Sequence, residues 1–84
     1  MNQPAEEIIE FIVSEIVRRP GIYITEDTAL VSSGLVDSLA LVDILMKLES
    51  VTGLRIPAGQ VKAEDLDTVN RMFVTANRFK PPSE

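Results

Sequence analysis

The chain has 84 residues, a formal net charge of −5, and neither cysteine nor histidine. Without cysteine there is no disulfide, thiolate metal site or cysteine nucleophile. Without histidine the commonest general base and metal ligand is gone as well, so an enzyme is not expected.

A chain of this length makes one small domain that buries roughly 60–65% of its unfolded surface, too little for a deep cleft. Apolar residues make up 45% of it, enough for a core. The charge is uneven: residues 1–53 hold nine acidic and three basic side chains, residues 54–84 four and five. An acidic front half disfavours nucleic acid and favours basic protein partners, although the same balance also serves solubility alone. The acidic start, with Glu6 and Glu7, is the opposite of a signal-peptide n-region, and no apolar run reaches membrane-spanning length. A cytoplasmic, reducing location is the default expectation, with no membrane insertion.

The first helix is predicted to start near Pro4, with Glu6 and Glu7 complementing its dipole. Ile8, Ile9, Ile12, Val13, Ile16 and Val17 recur at three- and four-residue spacing and make one apolar stripe. Arg18 and Arg19 suit its carboxyl end, and Pro20-Gly21 is the predicted stop. A long first loop then runs from Gly21 to Val36. Its Ile22, Ile24, Leu30, Val31 and Leu35 predict packing against the bundle, and a connection this long is usually functional. The second helix is predicted from Ser38 to about Val51, capped by Asp37 and closed by Gly53. Its apolar residues cover more than one face, so some of them must be exposed or lie under the first loop. Ile56-Pro57-Ala58-Gly59 is a predicted loop, Ala63 to Leu66 a short turn of helix, and the last helix starts after Asp67 or Thr68 with Val69, Met72, Phe73, Ala76 and Phe79 inward. Alternating runs and hairpin turns are absent. The predicted fold class is all-α: a small four-helix bundle, three main helices plus one short helix, with a long first loop. Residues 1–80 are expected to form the domain and 81–84 a flexible tail, because consecutive prolines cannot continue a helix.

The informative segment is Gly34-Leu35-Val36-Asp37-Ser38-Leu39. It puts a serine hydroxyl in the first turn of a helix, behind an aspartate cap, where unpaired N–H groups and the helix dipole suit an attached phosphate. Taken alone, Asp-Ser before an apolar run is an everyday helix start.

In register with that segment stand Leu30, Leu41-Val42, Leu45, Leu48-Glu49, Gly53, Ile56-Pro57 and Leu66-Asp67-Thr68-Val69. Thr28 to Val69 thereby resembles the phosphopantetheine-binding carrier proteins of the acyl, peptidyl, aminoacyl and D-alanyl types. The resemblance implies a stand-alone carrier, itself not catalytic. A phosphopantetheinyl transferase would join a covalent 4′-phosphopantetheine, drawn from coenzyme A, to Ser38. The partners implied are that transferase, an acyl- or aminoacyl-activating ligase, and a downstream transferase or synthase. Asp37, Leu39, Val42, Asp43 and Met46 are the implied partner-recognition residues, with Glu49 on the same outer side. A monomer is expected. None of Ser14, Ser32, Ser33, Ser50 and Ser83 matches the motif. Fatty-acid synthase carriers usually have an acidic residue where this chain has Ala40, and Lys47 interrupts the carboxylates of the second helix. The segment between Ile56-Pro57 and Thr68-Val69 is also longer than in those carriers, and both features lean away from housekeeping fatty-acid synthesis and toward an aminoacyl, D-alanyl, peptidyl or specialised acyl carrier. A small acidic interaction module that is never modified is the alternative. A calcium sensor is set aside, since no stretch has EF-hand ligand spacing.

Overall fold

A computed structural model describes residues 3–19 and 21–81. The expected stop at Pro20, Ser83, and all of the expected tail but Pro81 lie outside the described residues.

Helix α1 spans Gln3–Phe11 and runs on without a break into a wider π-helical segment, Ile12–Val17. The predicted stripe is present but is not uniformly buried. Ala5, Ile8 and Ile12 are fully buried, whereas Ile9 in α1 and Val13, Ile16 and Val17 in the wider segment are half-buried. Ser14 sits inside this segment and donates its hydroxyl to the Glu10 carbonyl at 2.8 Å, a local bond that competes with the helical ladder. The segment ends at Arg18, which takes a left-handed conformation (φ 58°) and donates its N–H to the Val13 carbonyl at 2.9 Å.

Helix α2 spans Leu41–Thr52 and α3 spans Val69–Asn77. Each of the three helices packs on the other two. Ile8 of α1, Ile12 of the π-helical segment, Ile44 and Leu48 of α2, and Val69 and Met72 of α3 are fully buried and form the centre of the core. Lys47 lies over the Phe11 ring, 5.7 Å from its centroid, so this cation ties α2 to α1 rather than standing free. At its carboxyl end α2 closes on Gly53, whose φ of 72° lets its N–H reach the Glu49 carbonyl at 2.8 Å. Thr68 caps α3, its Oγ1 accepting the Arg71 N–H at 3.1 Å.

The all-helical expectation holds, with no strand among the described residues. The count of four does not. The expected short helix at Ala63–Leu66 is one four-residue 3-10 turn, and similar short turns occur at Ser38–Ala40 and Ala58–Gln60. The architecture is therefore three helices plus 3-10 turns. Four residues close too few backbone bonds to stand as a helix, and this turn holds its place through Leu66, which is buried, and through the Asp65 carboxylate. The latter accepts the Lys62 N–H at 2.9 Å and pairs with Arg78 at 3.4 Å and Arg71 at 3.8 Å.

The long first loop contains turns but no helix among its described residues. It packs as predicted, with Ile24, Leu30 and Val36 buried in the main core.

Candidate functional site

Two anchors carry the chain into Ser38. Val36 is buried, and its N–H donates to the Leu30 carbonyl at 2.9 Å, which closes the loop behind it. Gly34, at φ 85°, makes the left-handed step inside that loop. Asp37 then takes an extended conformation, and its Oδ1 accepts the Ala40 N–H at 3.0 Å. The aspartate cap is as predicted. What differs is the first turn: Ser38–Ala40 is a 3-10 turn, and the α-helix proper begins at Leu41. The tighter coil follows from the bonds made there, since the Leu41 N–H reaches the Ser38 carbonyl, three residues back.

Ser38 is exposed, and its hydroxyl makes no hydrogen bond among the described residues. That sets it apart from most of the other serines. Ser14 donates to the Glu10 carbonyl, Ser32 to the Asp67 carboxylate at 2.9 Å, and Ser33 to the Ala29 carbonyl at 2.6 Å. Ser50 is exposed too, but it lies in the last turn of α2, where backbone N–H groups are already engaged along the helix. At Ser38 the opposite holds: the first N–H groups of a helix have no intrahelical acceptor, and they carry the positive end of its dipole.

The residues around Ser38 form a mixed face. Leu39 is 84% exposed, Val42 59% and Met46 62%, so three of the five large exposed apolar side chains among the described residues follow Ser38 along one helix. Asp37 and Asp43 are exposed beside them. Asp37, Ser38, Leu39, Val42, Asp43 and Met46 are thus all exposed between the cap and the second turn of α2. Glu49 departs from expectation. Its Oε2 accepts the Ile56 N–H at 2.7 Å, so this carboxylate holds the segment after α2 instead of standing free for a partner.

An open cleft of about 120 Å³ lies between α2 and the 3-10 turns that follow it. Leu41, Val42, Leu45, Val61 and Leu66 give it apolar walls, and Lys62 is its cation. The long first loop contributes none of its lining. The loop is instead drawn to the start of α3 by Asp67. This carboxylate accepts the N–H groups of Ser32, Val31 and Leu30 at 2.9, 2.7 and 3.2 Å. The Ser32 N–H contributes most to holding the Asp67 carboxyl below its usual pKa range, with the Ser32 hydroxyl and the Val31 and Leu30 N–H groups assisting. Sequence reasoning matched Asp67 only as part of a motif, because its partners are 35 to 37 residues away.

Among the described residues no helix is long and apolar enough to cross a membrane. A search of curated proteins and of solved structures returned no match to the chain. The family model described as the phosphopantetheine attachment site matches residues 7–72, from α1 into α3 and across the whole Asp37–Met46 face. Domains of that family are in general non-catalytic carriers that meet modifying and partner enzymes. Because the match covers well over half of an all-helical chain, this chain belongs to the phosphopantetheine attachment family, whose domain is the site of covalent 4′-phosphopantetheine attachment.

Proposed function

We propose that Ser38 carries the arm and that the chain shuttles a thioester-bound acyl or aminoacyl group between a charging ligase and downstream enzymes. One observation carries this reading: inside the matched segment, Ser38 alone offers an exposed, hydrogen-bond-free hydroxyl at a capped helix start. The residues present fit the group. Asp37 takes the Ala40 N–H and orders the turn, and Ser38 is exposed on it, where a phosphodiester on Oγ would stand in solvent. When bound, the arm supplies the thiol that holds cargo, and a chain without cysteine offers charging enzymes no competing thiol.

A phosphopantetheinyl transferase, an acyl- or aminoacyl-activating ligase and a downstream transferase or synthase would read the face beside Ser38. Leu39, Val42 and Met46 supply apolar anchors there, while Asp37 and Asp43 steer basic partners. The chain itself catalyses nothing in this reading, acts as a monomer in the cytoplasm, and uses residues 1–80 as its carrier unit. Its open cleft beside α2, walled by Leu41, Val42, Leu45, Val61 and Leu66, is where a small aliphatic cargo would lie.

The test is intact mass after incubation with a broad-specificity phosphopantetheinyl transferase, magnesium and coenzyme A. One arm should add to the parent chain and none to Ser38→Ala. If several competent transferases add nothing to the parent, the alternative of an unmodified acidic interaction module takes over. If Ser38→Ala is still modified, the arm sits elsewhere.

A further inference from the structure

The stretch that delivers Ser38 is held from the far side of the sequence by one carboxylate. Asp67 Oδ1 accepts three consecutive backbone N–H groups, those of Leu30, Val31 and Ser32, and Oδ2 accepts the Ser32 hydroxyl. The Asp67 carbonyl also accepts the Leu30 N–H at 2.8 Å. Leu30 in turn offers its carbonyl to the Val36 N–H, one residue before the Asp37 cap. A second tie lies alongside, where the Asn70 N–H donates to the Glu26 carbonyl at 3.0 Å and the Asn70 amide reaches the Asp27 carboxylate. The path from Asp67 through Leu30 and Val36 to Asp37 is thus an unbroken chain of bonds ending at Ser38.

Without that carboxylate the Val31 and Ser32 N–H groups lose their acceptor, and Leu30 is left with the Asp67 carbonyl alone. We infer that Asp67 is a positioning residue for Ser38: it holds residues 30–36 in the one turn that delivers the Asp37–Ser38 step to a modifying enzyme. The inference rests on the reading of Ser38 as the attachment site. Asp67 never touches the reacting hydroxyl. It acts by keeping the chain in the competent arrangement, and when only a fraction of molecules is competent, apparent affinity falls by that fraction while turnover of bound molecules does not.

The experiment compares Asp67→Ala and Asp67→Asn with the parent and with Ile8→Val, a core change that lowers the melting temperature without touching this path. For arm transfer, Asp67→Ala should raise the KM for the carrier on the order of tenfold and leave kcat within about twofold, as expected if roughly a tenth of the population remains competent. Asp67→Asn keeps one oxygen acceptor and should fall between Asp67→Ala and the parent, and Ile8→Val should keep the parent KM. Amide exchange on the unmodified chain gives an independent readout: Asp67→Ala should lose protection at Val36 and Ala40. An unchanged KM in Asp67→Ala, an equal rise in Ile8→Val, or retained protection at Val36 and Ala40 would overturn the inference. If the parent accepts no arm at all, the attachment reading fails by itself, and the exchange measurement still decides whether Asp67 orders the Ser38 step.

Discussion

Replacing Asp37 with alanine removes the one side chain that caps the helix carrying Ser38. The affected donor is the Ala40 N–H, now shared between Asp37 Oδ1 at 3.0 Å and the Asp37 carbonyl at 3.2 Å. Loss of such a cap costs about 0.5–2 kcal/mol. Here the cap is exposed, so water can replace the lost acceptor, and the remaining carbonyl keeps part of the bond. Both facts pull the value to the lower half of the range, about 1 kcal/mol. For a domain of this size that is a fall in melting temperature of roughly 4–8 °C. Asp37→Asn keeps the oxygen acceptor and loses only the charge near the helix dipole, which is worth about 0.3–1 kcal/mol and weakens as salt is added. Urea unfolding followed by helical circular dichroism measures the difference, provided the slope m is unchanged between variants. An alanine variant as stable as the parent, or an asparagine variant that loses as much as alanine at high salt, would refute the capping argument. Arm transfer to Asp37→Asn then isolates the charge: a slower reaction on a chain of near-parent stability would mean that the transferase reads the carboxylate itself.

The exposed apolar face and the acid response can be tested in the same way. Leu39→Ser and Met46→Ser should change stability by no more than about 0.5 kcal/mol, since both side chains already face water, yet each should weaken a partner that docks on this face by more than about 1 kcal/mol. Titration calorimetry with the charging ligase checks the second half, and a large loss of stability in either variant would contradict the exposures. Acid should destabilise the fold through Asp65 and Asp67, whose carboxyls are held below the ordinary value of 3.8 chiefly by the Lys62 and Ser32 N–H groups respectively. A depressed folded pKa contributes stability that is present above the unfolded value and is lost as pH falls through the folded one. Stability should therefore fall below about pH 4 and fall less steeply in Asp67→Asn. Parallel pH curves for parent and variant would remove Asp67 from that account.

Much of the site was legible in the chain because its determinants are local. Asp37, Ser38 and Ala40 lie within one turn, so an acidic cap followed by an apolar run was enough to place the helix start. Gly53 marked the end of α2 and the start of α3 was narrowed to Asp67 or Thr68 for the same reason, since the caps Gly53 and Thr68 work on backbone groups three or four residues away. The 3-10 form of the Ser38 turn and of Ala63–Leu66 was not legible, since the choice between three- and four-residue bonding depends on how the turn docks. Glu49 looked like an outer carboxylate by helical spacing, and only the return of Ile56 beside it showed that its Oε2 is taken.

Composition and short-range spacing by themselves determined that the chain is helical, that it lacks thiol and imidazole chemistry, and that one serine opens a capped helix. These follow from residue identity and from contacts within a few positions. Which apolar side chains of α2 stay outside, how the first loop is tied to Asp67, and where α1 widens at Ile12–Val17 were decided only when the three helices packed together. The reason is that burial and long-range hydrogen bonds depend on distances in space between residues tens of positions apart, and helical periodicity carries no record of those distances.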